Sequence, residues 1–294
     1  MTSPPQRSLA ERAVEALGGV GVLRGDLAGV APAPPPPPPA EEVLPSPAPP
    51  AHPPISREAL IAAGGHSLQP GRSRCAEEMA VIQQQVLRTL RDVAPGGERC
   101  ARLVLITSAR PGEGKTFTAL NLAAAIARHG TMPALLIDAD GKRGSLTTLL
   151  GCAEAEGLRT LAARPDLPAA SVVRPTEVAR LRFVPFGVGA AGAEASQAPE
   201  KALGDALNRI AAAFPTDILI VDAPPALATS EASTVAALAG QVLVVVRAEA
   251  TQRSEVEAAL DLLDACPVLQ LVLNRTNGAT PDSFGAYGYE GYGS

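Results

Sequence analysis

Residues 103–116, LVLITSARPGEGKT, decide the fold. An apolar, β-branched run from Leu103 to Thr107 breaks at a Pro-Gly turn, and a helical pattern opens at once after Lys115 and Thr116. Strand, glycine-containing loop and helix in that order form a phosphate-binding loop: main-chain N–H groups of the turn and of the helix start face phosphates, the lysine reaches the β/γ oxygens and the hydroxyl ligates Mg²⁺. Gly112, Glu113, Gly114, Lys115, Thr116 and Phe117 are therefore the expected nucleotide-binding residues. The first glycine of G-x-x-x-x-G-K-[ST] is Ala109 here, a departure that the strand and helix on either side offset.

A phosphate loop needs acids near it. Leu135-Leu-Ile-Asp-Ala-Asp140 ends an apolar run in two carboxylates, and Ile218-Leu-Ile-Val-Asp222 ends another in one, followed by Ala223-Pro-Pro225. Ligands of an open α/β sheet sit beyond the carboxyl ends of its strands. Asp138, Asp140 and Asp222 should meet Lys115 and Thr116 there, forming a site for nucleotide with Mg²⁺, a cation suited to carboxylate, hydroxyl and phosphate oxygens.

Outward from these motifs the same rhythm continues. Apolar runs at 103–107, 134–137, 181–185, 217–221, 242–246 and 269–273 alternate with helical stretches such as 116–128, 200–213 and 253–265. Near-continuous apolar strands separated by helices predict an α/β domain of the P-loop NTPase type, a mostly parallel sheet with helices on both faces, over residues 100–277. Residues 57–99 read as a helical lead-in. Its stretch 76–92 carries an apolar stripe (Met79, Ile82, Val86, Leu87, Leu90) that can pack on its own domain or on another subunit.

Before this lie two further segments. Residues 31–56 form a proline-rich linker, with 13 of the chain's 29 prolines between Pro32 and Pro54. Its unbroken run from Pro34 to Pro39 is a stiff spacer, an SH3-type ligand being the alternative. Residues 1–30 hold a short helical segment with a capping box at Ser8 and Glu11, marginal alone and expected to dock on its own domain or on a partner. At the other end, 278–294 is a Gly-rich tail without periodicity, expected to be flexible. It carries all three tyrosines of the chain, Tyr287, Tyr289 and Tyr292.

Composition narrows the function classes. A formal net charge of −5 argues against nucleic acid as a partner. No apolar stretch is long enough for a membrane span, and acids interrupt the N-terminus where a signal peptide would be apolar, so the chain reads as cytoplasmic. Four scattered cysteines without a C-x-x-C pair read as reduced, and no structural zinc is expected.

SARPGEGKT, LLIDAD and LIVDAPP, together with the tyrosine-bearing tail, resemble the bacterial tyrosine kinases (BY-kinases) of exopolysaccharide and capsule synthesis. The N-terminal ERAVEALG segment is similar to that of the exosortase-associated autokinases. The resemblance implies an ATP- and Mg²⁺-dependent protein-tyrosine autokinase regulating exopolysaccharide biosynthesis or export. Lys115 and Thr116 would be Walker A, with Lys115, Asp138, Asp140 and Asp222 catalytic. Thr116, Asp138 and Asp222 would be the metal ligands, and Asp140 would accept the tyrosine proton. Tyr287, Tyr289 and Tyr292 would be the phosphoacceptors, modified between neighbouring subunits. It further implies an inner-membrane polysaccharide co-polymerase as activator, a cognate tyrosine phosphatase, self-association, and a peripheral place at the inner membrane through the partner.

Two departures accompany it. Lys142 takes the arginine position of D-x-D-x-R, and the family's E-x-x-R-x-x-R subunit contact, set on Glu77, Ala80 and Gln83, lacks both basic residues. The competing reading is a deviant Walker-type ATPase switch of the partition or division-site class, without kinase activity. A third is a scaffold that binds nucleotide and does no chemistry, against which the intact Lys115, Thr116 and three acids argue.

Overall fold

The computed structural model describes residues 52–71, 73–92, 99–130, 132–142, 144–188 and 200–276. The N-terminal segment, most of the linker and the tyrosine tail lie outside the described residues, and so do Arg143 and Tyr287, Tyr289 and Tyr292.

Strands β1 (Cys100–Ser108), β2 (Ala134–Asp138), β3 (Arg174–Pro175), β4 (Leu181–Val184), β5 (Ile218–Asp222), β6 (Ala239–Arg247) and β7 (Leu269–Asn274) build one sheet in the order β3-β4-β2-β5-β1-β6-β7. Every pairing is parallel except that of β3 with β4. All six apolar runs expected from the sequence are strands; only the two-residue β3 was unforeseen.

Side chains alternate between two layers of core, as a strand's two-residue period requires. Leu103, Leu105, Leu135, Ile137, Leu219, Val221, Val242 and Val244 face one layer, against Leu207 and Ile210 of α6 (Glu200–Ala213) and Val235 of α7 (Glu231–Leu238). Val104, Ile106, Leu136, Ile220 and Leu243 face the other, against Leu120, Ala123 and Ala124 of α3 (Lys115–His129).

The lead-in shares that second layer. Helix α1 (Arg57–Ala62) adds Leu60, and α2 (Arg74–Asp92) buries Met79, Gln83 and Val86. A buried Val or Met contributes roughly 1.5–3 kcal/mol relative to exposure. The bond from Gln241 Nε2 to the Val86 carbonyl, 3.1 Å, fixes α2 on β6. One face of α2 thus packs on its own domain, which settles the question its apolar stripe left open. The other face is solvent-exposed and bears Gln85, Arg88 and Arg91 at three-residue spacing. Of the frame Glu77, Ala80 and Gln83, only Glu77 is exposed: Ala80 is half-buried and Gln83 points into the core.

Among the described residues no helix is long and apolar enough to cross a membrane. Cys75, Cys100, Cys152 and Cys266 are free thiols.

Candidate functional site

Because β5 lies between β1 and β2, the carboxyl ends of these three strands meet, and Asp138 pairs in register with Asp222. The loop after β1 closes over them. Gly114, at φ +106, is the cap of α3 and makes no side-chain capping bond, so the first-turn N–H groups keep their donors for an anion. The positive φ requires glycine there, and a Cβ on Gly114 would stand 2.0 Å from Asn274 Nδ2, displacing that side chain from the loop. Ala109, in contrast, has its methyl in the core at 1% exposure and no positive φ, which explains how it replaces the usual first glycine.

The structure brings Lys115, Asp138, Asp140 and Asp222 together. The Lys115 side chain is buried, its ammonium paired with Asp140 Oδ2 and 3.5 Å from Asp222 Oδ1. Burial alone would lower its pKa, but Asp222 and then Asp140 outweigh that and hold it above the ordinary lysine value. Lys142 also donates to Asp140 Oδ2, so the residue replacing the family's arginine still meets the acid. Asp222 is fully buried, and neither of its oxygens has a hydrogen-bond partner. Burial, opposed by Lys115 and reinforced by Asp138, pushes its pKa up to about 7.

Those orphaned buried oxygens, the nearby Thr116 hydroxyl and Asp138 make an oxygen-only donor set that fits Mg²⁺. Among the described residues no three His, Cys, Asp or Glu side chains come together to hold a metal unaided. Mg²⁺ needs fewer, since substrate phosphates and waters complete its shell.

Two of the residues expected at the nucleotide have their side chains engaged within the fold. Glu113 directs its carboxylate inward at 3% exposure: Oε2 accepts from Arg110 N at 2.8 Å, Oε1 accepts from the Thr251 hydroxyl, and its carbonyl accepts from Asn274 Nδ2 at 2.8 Å. A carboxylate aimed at phosphate would repel it, so the buried side chain shapes the loop and leaves only the main chain of this residue to meet an anion. The Phe117 ring stands edge-on to His66 with centroids 5.4 Å apart, leaving its N–H for the anion. Thr251 and Asn274 escaped sequence reading because they lie 138 and 161 residues from Glu113. Replacing Glu113 with Ala should cost about 1–3 kcal/mol in urea unfolding, the range for buried donors left unpaired. A wild-type midpoint would show that this clamp does not hold the loop.

Comparison with known proteins gives a consistent picture. A family model described as AAA domain matches residues 101–275. The tyrosine-protein kinase wzc of Salmonella typhimurium is 30% identical over 64% of this chain and 26% of its own length. The tyrosine-protein kinase CpsD of Streptococcus agalactiae is 30% identical over 64% of this chain and 82% of its own. The kinase domain of the Escherichia coli tyrosine kinase ETK superposes with a TM-score of 0.50 at 26% identity, over 71% of this chain and 80% of that one. The chain spans about a quarter of the length of the first curated relatives it matches, at 26%, 21% and 26%.

Proposed function

The chain belongs to the AAA domain family, among the bacterial tyrosine-protein kinases, and on that footing we propose that it is an ATP-dependent protein-tyrosine autokinase regulating exopolysaccharide biosynthesis or export. One observation supports this over a partition-type switch. Asn274, the last residue of β7, donates to the phosphate loop at Glu113 O, so the chain that runs on to Tyr287, Tyr289 and Tyr292 starts from beside that loop. The thirteen residues from Asn274 to Tyr287 can extend over roughly 45 Å, enough to reach an adjacent protomer.

In this reading, main-chain N–H groups from Gly112 to Phe117 bind the ATP phosphates and Lys115 neutralises the β/γ oxygens. Thr116, Asp138 and Asp222 would hold Mg²⁺, which when bound supplies charge neutralisation on the phosphates. Asp140 has both ammonium groups on Oδ2, leaving Oδ1 to take the proton of the attacking tyrosine hydroxyl. Arg88 and Arg91 on the exposed face of α2 supply the basic half of a subunit contact, so tails can be exchanged between protomers. An inner-membrane co-polymerase as activator, a tyrosine phosphatase as antagonist and a peripheral cytoplasmic location complete the proposal.

The test is intact-mass analysis of the full-length protein after incubation with ATP and Mg²⁺, with and without a phosphatase. Phosphate should appear on Tyr287, Tyr289 or Tyr292 and vanish in the triple Phe variant. Undiminished labelling of that variant would overturn the tail as acceptor, and phosphate release without phosphotyrosine would restore the ATPase switch.

A further inference from the structure

Asp138 is held by more donors than any other acid of the site. Its Oδ2 accepts from the Thr147 main-chain N–H at 2.8 Å and from the Thr147 hydroxyl at 2.7 Å, while Oδ1 accepts from Asp140 N at 3.0 Å. The Thr147 hydroxyl in turn accepts from Phe186 N at 2.7 Å. Its one proton therefore has a single destination: with the acceptor side of the hydroxyl taken by Phe186 N–H, the proton points at Asp138. The acid and the hydroxyl residue are both buried, Asp138 at 0% and Thr147 at 6% exposure.

A carboxylate offers about four acceptor positions. Thr147 fills both on Oδ2 and Asp140 N–H fills one on Oδ1, so a single position remains, on Oδ1. We propose that Thr147 is the positioning residue of Asp138, saturating Oδ2 so that this carboxylate can engage a cation through one oxygen only. One-oxygen engagement suits the compact octahedral shell of Mg²⁺, whereas two-oxygen chelation suits the larger, more loosely coordinated Ca²⁺. Thr147 would thus act on cation choice as well as orientation. The inference rests on the reading of Asp138 as a metal-site acid but not on tyrosine as the phosphoacceptor.

The experiment compares Thr147→Val, which keeps the β-branched shape and removes the hydroxyl, with Thr147→Ser, which restores it. Binding of a fluorescent ATP analogue to full-length protein is measured with Mg²⁺, with Ca²⁺ and in EDTA, alongside a thermal melt. Thr147→Val should raise the Mg²⁺ needed for half-maximal metal-dependent binding about tenfold, as loss of an outer-shell partner does. Ca²⁺ dependence should change less, binding in EDTA should stay at the wild-type level, and Thr147→Ser should return to within about twofold. Equal losses with Mg²⁺ and Ca²⁺, a loss in EDTA, or Ser behaving as Val would reduce Thr147 to a structural residue and overturn the proposal. Because binding is read without transfer, absence of phosphotyrosine in the wild type would sink the kinase reading and leave this result interpretable.

Discussion

Asp222→Asn will lower the proposed phosphoryl transfer about a hundredfold, as loss of a metal-site partner does, and at the same time raise the folding stability of the protein measured without nucleotide or metal above pH 7. The second effect follows from the sign of its ionisation. Burial lifts the Asp222 carboxyl from the ordinary 3.8 to about 7, so the folded protein keeps a proton that the unfolded chain gives up across that interval. Stability therefore falls as pH rises from about 4 to 7, and the whole penalty stands above 7. A displacement of that size opposes the charged form by up to about 4 kcal/mol. Asparagine has nearly the same shape and no charge to bury. The gain in melting temperature should be small at pH 4, grow to pH 7 and then level off, at about 2–4 °C per kcal/mol. If the variant is no more stable than wild type at pH 8, Lys115 rather than burial governs Asp222.

This opposition between stability and chemistry also accounts for what the sequence makes legible. Strands β1, β2, β5 and β6 are buried on both faces, so they appear as unbroken apolar runs, and a carboxylate ending such a run, at Asp138 or Asp222, contradicts its surroundings visibly. Local consistency that fails at one residue marks a functional position. Thr147 contradicts nothing: it sits in α4 (Leu146–Leu149), four residues with no periodicity to read, and its role arises from contacts with Asp138 and with Phe186, 39 residues away. Helix α7 (Glu231–Leu238) was equally invisible, because Ala, Ser and Thr fill it and only Val235 and Leu238 are large and apolar. Which face of α2 bears its exposed residues, Gln85, Arg88 and Arg91 among them, is not legible in the sequence, since a stripe that repeats every three to four residues fits more than one register until burial selects it. The side chain of Glu113 shows a related limit. A loop motif states which residues surround a phosphate, and it leaves open which way each of them points.

Lys115→Met will cut the proposed transfer by about a hundred- to a thousandfold, the scale of removing one preorganised group from a transition state. The same substitution will destabilise the protein, and the two effects can be separated. Lys115 is the cation facing both Asp140 and Asp222 inside the fold. Removing one partner of a buried ion pair costs about 3–5 kcal/mol, because the charge left behind has neither water nor a counterion. Asp222 can escape by taking up a proton, so the loss should be smaller at pH 5 than at pH 8. Adding Asp222→Asn to Lys115→Met removes the stranded charge. The double variant should regain much of the lost stability at pH 8 and remain inactive, giving a coupling free energy well above the few tenths of a kcal/mol expected for independent sites, about 0.3–0.5. Strict additivity of the two substitutions would mean that Lys115 and Asp222 do not share charge across 3.5 Å, and that Asp140 alone fixes the lysine. Recovery of stability without recovery of transfer would show that the lysine balances buried carboxylates in the fold and phosphate charge in the reaction, two tasks that no neutral pair of residues can combine.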